Sequence, residues 1–328
     1  MRLVLATSFA FLFFSTLHAD APPTKKSEKG TVAFTPLDDQ KNIPERYRLD
    51  AHKFDYVMEL KETLPTIGVE VFEVRFPSPV KSPHPENNTV HAEYYRPSKP
   101  GPYPCVIVLD ITGGNQQLSR VIARTLAQNG VGGLFVQMAY YGPRRPAGSN
   151  LRLLSYDAEH TFEAIRQTVL DMRCAAAWME SRPEVDKTRL GIMGTSLGSF
   201  MAALTAEMEP RLGRVAVLLG GGGFIDGYYD HPQAKPYVKI FEAVGGSRDL
   251  AKKWIAPVDP LTHAERLKDR KLLMVAAKND EIVPPKMAEN LWNASGRQQI
   301  IWLNTGHFSA ALFLVTGMTK VVEHFKAP

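Results

Sequence analysis

The run Gly194-Thr195-Ser196-Leu197-Gly198 sets one serine between two glycines. A serine hydroxyl is a poor nucleophile until a base takes its proton, and its attack on a carbonyl then creates an oxyanion that needs hydrogen-bond donors. A sharp strand-to-helix turn supplies part of that need. Glycines two residues to either side remove the side chains that would collide with the turn or with the neighbouring helix. The first helical amides then face the space beside the hydroxyl, where the helix dipole favours negative charge. The chemistry this spacing points to is acyl transfer. The other reading, two turn glycines around a capping serine, is separated from it by the flanking sequence. An apolar run (Leu190, Ile192, Met193) precedes the turn and a helix-forming run (Met201, Ala202, Ala203, Leu204) follows it. Nine histidines are available as a base, a residue suited to the task by an ordinary pKa of about 6.5.

The elements that must position such a turn are legible along the chain. Gly68 to Pro77 alternates apolar and polar residues, and Thr89 to Arg96 makes a second strand of that kind. The pattern then changes. Cys105 to Asp110, Val131 to Met138, Leu190 to Met193, Val215 to Leu219, Leu272 to Ala277 and Ile300 to Leu303 are short continuous apolar runs, as expected of strands buried on both faces of a parallel sheet. Helical stretches at Leu118–Asn129, Ser155–Glu180, Lys286–Asn293 and Ala310–Phe325 lie between and after them. Antiparallel-type strands followed by strict alternation of strand and helix predict one α/β domain. Its sheet is mostly parallel, with helices on both faces and antiparallel strands at the N-terminal edge.

The chain has 328 residues, 44% of them hydrophobic and 22% charged, with a net charge of +5. These values are ordinary for a globular protein. The basic residues are scattered without aromatic interleaving, which argues against a nucleic-acid partner. Residues 1–21 read as a signal peptide: Arg2 opens it, Leu3 to Leu17 is uncharged and apolar, and Ala19-Asp20-Ala21 offers small residues for cleavage. No later run approaches a membrane span. The expectation is an exported protein, periplasmic or extracellular, with no membrane anchor after cleavage. Residues 22–43, rich in Pro, Lys, Ser and Thr, read as a flexible leader. Ile43–Leu64 is polar and weakly amphipathic, a stretch able to hold a short helix. The globular domain is then expected over 44–328. Cys105 and Cys174, the two cysteines, fall in apolar runs and are expected as buried free thiols.

With its strand, turn and following helix in place, the chain resembles the α/β-hydrolase superfamily, and within it the dienelactone hydrolase and acetylxylan esterase-like serine hydrolases. The resemblance covers Val69 to the C-terminus. It implies that the base follows the last strand, where His307 stands in Asn304-Thr305-Gly306-His307-Phe308-Ser309. A histidine capping the last helix is the other reading of that position. The resemblance further implies an acid just past the penultimate strand, where Asp280 stands in Asn279-Asp280-Glu281-Ile282-Val283-Pro284, with Glu281 as second choice. Ser196, Asp280 and His307 reproduce the family's chain order. The oxyanion hole is expected from the amide of Leu197 and, in the loop after Cys105–Asp110, from Thr112 with Ile111 as alternative. This chain has Asp110-Ile111 where the family usually has His-Gly. Asp110 itself is expected as a buried loop clamp, the alternative being contact with substrate.

Around the rim, Tyr140, Tyr141 and Arg144 follow a sheet strand and are candidate substrate contacts. Arg144 and Arg145 are suited to an anionic group and the tyrosines to a ring or sugar. Gly220 to Leu267 reads as an insertion over the rim, carrying Tyr228 as a candidate pocket wall. No cofactor is implied. Asp226, Asp230 and His231 lack a fourth clustered ligand for a metal. The expected function is hydrolysis of a carboxylic ester, on a small molecule or a carbohydrate, through an acyl-enzyme. The alternatives are a prolyl oligopeptidase-like hydrolase of small or acylated peptides and a non-catalytic binding protein on the same fold.

Overall fold

The computed structural model describes residues 26–37, 40–113, 115–232, 234–310 and 314–327. The stretch read as a signal peptide lies outside the described residues. The first strand is β1 (Ser27–Phe34), in a region that composition alone assigns to a flexible leader. That reading is corrected: Val32 and Phe34 alternate inward at 2% and 1% exposure. Glu28 takes the Arg182 guanidinium at 2.6 Å. Two inward apolar residues and one ion pair outweigh the polar remainder.

β2 (His52–Leu64) pairs antiparallel with β1. The short helix expected between Ile43 and Leu64 is one 3-10 turn, Glu45–Tyr47, and His52–Leu64 is extended. Phe54, Tyr56 and Met58 point to the core at every second position, a period of two that the apolar Val57 between the last two obscures. β3 (Val69–Pro77) and β4 (Thr89–Pro97) continue antiparallel.

The parallel part follows, with β5 (Tyr103–Leu109), β6 (Gly132–Val136), β7 (Val185–Thr195), β8 (Leu212–Leu218), β9 (Lys271–Ala277) and β10 (Gln299–Leu303). Between them run α1 (Gln117–Gln128), α2 (Ala158–Ser181) and α3 (Leu197–Met208). Then come α4 (Phe224–Tyr228), α5 (Lys235–Ala243), α6 (Arg248–Ile255), α7 (Pro285–Ala294) and α8 (Leu314–Lys326). The described strands form one sheet in the order β1-β2-β3-β4-β6-β5-β7-β8-β9-β10. Pairings from β6 to β10 are parallel, and those from β1 through β4 to β6 antiparallel.

Two apolar layers sandwich the sheet. One packs α2, α3 and α7 on it, with Trp178, Leu204 and Leu291 buried, and the other packs α1 and α8, with Leu126, Val321 and Phe325. The fold is the predicted α/β sheet, mostly parallel, with helices on both faces and an antiparallel N-terminal edge. Because parallel strands all end on one side, the loops after β5, β6, β7, β8, β9 and β10 open on a common edge, where ligands bind in such sheets.

The stretch predicted as a rim insertion carries α4, α5 and α6. Asp259 ties its base together, accepting the amides of Gly223 at 2.7 Å, Phe224 at 2.8 Å and Leu261 at 2.9 Å. The glycine run before it is close packing: a Cβ at Gly220 would come within 1.7 Å of Ser199 Oγ, and one at Gly221 within 2.2 Å of the Met287 carbonyl carbon. Cys105 and Cys174 are buried free thiols, and burial pushes both far above the ordinary thiol range.

Candidate active site

Ser196, between β7 and α3, has φ 52° and ψ −118°, a backbone conformation that only a tightly held turn imposes on a serine. The turn is locked from both sides. The Ser196 amide donates to Leu218 O at 2.9 Å, and Ser199 donates to Ser196 O through its amide at 2.9 Å and its Oγ at 2.6 Å. A Cβ at Gly194 would come within 2.1 Å of the Gly198 carbonyl, and one at Gly198 within 2.5 Å of Leu109 O. Glycine at both places is thus a steric condition for α3 to approach β5 this closely.

His307 sits beyond β10, where its Nε2 lies 3.1 Å from Ser196 Oγ. Its Nδ1 lies 2.8 Å from Asp280 Oδ2 and 3.0 Å from Oδ1. Asp280, past the end of β9, is fixed in turn by accepting the amides of Ile282 at 2.9 Å and Val283 at 2.7 Å. All three residues are about 8% exposed, so water reaches the set only at its mouth. The three side chains that the chain keeps 84 and 27 residues apart by number form one hydrogen-bonded line.

Glu281 has a part that its sequence position did not reveal. Its carboxylate accepts the His307 backbone amide at 2.9 Å, and a Cβ at Gly306 would come within 2.5 Å of Glu281 Oε2. Adjacent carboxylates therefore grip the same histidine, one at the ring and one at the main chain. The adjacency of two acids was visible in the sequence; the division between them depends on how the loops after β9 and β10 meet.

On the donor side, Leu197 is the first residue of α3, so its amide has no acceptor within its own helix. Asp110 is a buried clamp: its Oδ1 accepts the Ile111 amide at 2.7 Å and its Oδ2 the Ser119 amide at 3.2 Å. Burial raises its pKa above the usual carboxylate range. The alternative of an Ile111 amide in an oxyanion hole is corrected, since that amide is already taken. Thr112 lines the same cavity as Ser196, and Tyr141 Oη donates to Thr112 O at 3.3 Å.

The substrate contacts expected at the rim are mostly displaced. Arg144 is fully buried. It donates to Asp171 Oδ2 at 2.7 Å, Asn87 O at 2.8 Å and Gln137 O at 3.0 Å. An anion-binding role for Arg144 is corrected: its guanidinium is buried and engaged by Asp171, Asn87 and Gln137, out of reach of a ligand at the rim. Tyr140 is likewise structural, 4% exposed and 4.6 Å from the ring of His160. Tyr141 reaches the site only through Thr112. Tyr228 donates to Ile282 O at 2.5 Å. Its pKa is pushed up to about 12 by burial and then by the nearby Asp280. It supports the acid loop and is not among the described residues lining the Ser196 cavity. Asp226 is paired with Lys252 and Asp230 with Arg248. Among the described residues no three His, Cys, Asp or Glu side chains gather as a metal site.

Two concavities open near this edge. The one holding Ser196 and His307 measures about 380 Å³ and is walled mainly by aliphatic side chains. A larger polar cleft of about 620 Å³, which includes Arg75, Arg120 and Arg145, shares no lining residue with it. The second is the larger of the two, but the Ser196–His307 contact lies in the first.

A family model described as alpha/beta hydrolase domain containing 18 matches residues 39–220, and one described as prolyl oligopeptidase family matches residues 148–302. Acetyl xylan esterase from Paenibacillus sp. R4 superposes with a TM-score of 0.66 at 18% identity, over 82% of this chain and 88% of that one. Acetyl Xylan Esterase 1 from Thermoanaerobacterium sp. superposes with a TM-score of 0.62 at 20% identity, over 82% and 87%. Two uncharacterized proteins of Mycobacterium tuberculosis are 25% identical over 232 residues, 67% of this chain and 53% of theirs. The chain spans about half the length of these curated relatives.

Proposed function

This chain belongs to the family described as alpha/beta hydrolase domain containing 18, and we propose that it is a serine hydrolase cleaving carboxylic esters. Ser196 attacks the carbonyl while His307 takes its proton and returns it to the leaving alcohol. Asp280 holds the imidazole tautomer and steadies its charged form. The Leu197 and Thr112 amides receive the oxyanion, and water then releases the acyl group from Ser196. The observation that carries this reading is the line Asp280–His307–Ser196, with contacts of 2.8 and 3.1 Å, on a strained turn at a cavity. The substrate is a small-molecule or carbohydrate ester, as the names of the acetyl xylan esterases suggest. Export to the periplasm or beyond is supported by the apolar N-terminal segment. No helix of the described residues is long and apolar enough to cross a membrane.

A fluorophosphonate probe tests the core of this proposal. The wild-type protein is expected to label covalently and Ser196→Ala not to; equal labelling of the two, or none of either, rejects it. The match of residues 148–302 to the prolyl oligopeptidase model favours one second reading, peptide hydrolysis. Matched ester and anilide substrates of the same acyl group separate the two: turnover of the anilide at a rate comparable to the ester supports the peptidase.

A further inference from the structure

We propose that the acyl group of the substrate is uncharged and hydrocarbon-rich, several carbons long, and that the Ser196 cavity is built to hold it; this rests on the serine-hydrolase reading above. Leu118 of α1, Leu219 after β8, Val275 of β9, Ile282, Leu303 of β10 and Met318 of α8 contribute to its wall. Among the described residues lining it, His307 is the only ionisable one. A carboxylate or a hydroxyl-covered ring entering this space sheds its water and meets hydrocarbon, with no cation to offset the loss. The nearby arginines do not supply one. Arg144 is spent on Asp171 and two carbonyls, and Arg145 lines the separate polar cleft.

An acetyl group fits the chemistry but leaves most of the 380 Å³ empty, forfeiting apolar burial. An acyl chain of several carbons covers more of this wall and recovers that burial. Leu219 gives a second observation. It keeps φ 52°, an unusual conformation for a branched residue, with its amide donating to Val275 O at 2.8 Å. The backbone is held there, and Leu219 lines the cavity beside Val275. The acyl side is assigned because it stays bonded to Ser196 Oγ through both steps, so its burial helps throughout, whereas the alcohol has to leave.

The test is a series of 4-nitrophenyl esters from acetate to palmitate on the wild-type protein, run beside fluorophosphonate labelling. We expect kcat/KM to rise about threefold to fourfold per added methylene until about octanoate and to fall at palmitate. Alkylboronic acids from methyl to octyl are expected to inhibit in the same order, a readout that needs no variant. Met318→Trp, which fills part of the cavity, is expected to move the optimum to shorter chains. Preference for acetate over hexanoate overturns the proposal. So does a succinate half-ester that outruns butyrate, or a gain that follows alcohol length at fixed acetyl. Labelling of Ser196 with any of these outcomes rejects the acyl class alone; absence of labelling rejects the hydrolase reading itself.

Discussion

At the scale of single residues, the site turns on how two neighbouring acids are used. Asp280 meets the imidazole, and Glu281 accepts the amide of the residue that carries it. A charged acceptor on a main-chain amide fixes the loop more firmly than a neutral one. We propose Glu281 as a positioning residue. Glu281→Ala should lower kcat by about tenfold to a hundredfold through misplacement of the ring, with KM little changed. Glu281→Gln, which keeps an accepting oxygen, should restore most of it, and steady-state kinetics of the pair checks this. Loss of folding in both variants, without a kinetic difference, would count against the role. Arg144 illustrates the opposite case, a reactive-looking residue used for structure. Arg144→Ala leaves the Asp171 carboxyl buried without its cation. It should cost about 3–5 kcal/mol in urea unfolding, while the preference between neutral and anionic esters in the folded fraction stays the same.

At the scale of elements, the strand–turn–helix unit works because α3 comes close to β5 through Gly198. Gly198→Ala puts a methyl against Leu109 O and Asp110 O, the segment that leads into the Thr112 loop. It should destabilise the fold by about 3 kcal/mol. It should also reduce fluorophosphonate labelling more than stability alone accounts for, measured on protein held well below its unfolding midpoint. The β7–α3 unit was legible in advance because its requirements are local: apolar residues to bury, glycines to clear space, helix formers to follow. β1 and β2 were not. Their inward residues, Val32, Phe34, Phe54, Tyr56 and Met58, alternate with Ala33, Asp55 and Val57, only one of them polar, so the apolar-polar alternation is broken. Only pairing to each other and to β3 shows which positions face inward.

At the scale of the whole molecule, the two apolar layers and the ends of the sheet set the response to acid. His324 of α8 is held against β8, where Arg214 donates to its carbonyl at 2.8 Å. Burial first, and the Arg214 charge second, lower its pKa from the ordinary 6.5 to about 4. The folded state therefore binds fewer protons than the unfolded chain between these values. This contribution to stability is full above about 6.5 and is lost as the pH falls through about 4. Its size is on the order of 3 kcal/mol. His324→Leu should flatten that part of the stability–pH curve, read by urea unfolding at pH 7, 5.5 and 4.5; a curve parallel to wild type would exclude the assignment.

What the sequence determined by itself was whatever depends on near neighbours. Continuous apolar runs read as buried strands, and Gly194 and Gly198 as the flanks of a tight turn that presents Ser196; the places of Asp280 and His307 came from the resemblance to the α/β-hydrolase superfamily. Tertiary structure decided everything that depends on which surfaces meet. It turned Arg144 inward to Asp171, gave the Ile111 amide to Asp110 and set Glu281 on the main chain of His307. It also enclosed Ser196 in hydrocarbon contributed by five strands and helices and the loops between them. The physical reason is the same in each case. A side chain's partner is chosen by long-range pairing and by the cost of leaving a polar group buried and unsatisfied, and neither can be read from the residues beside it.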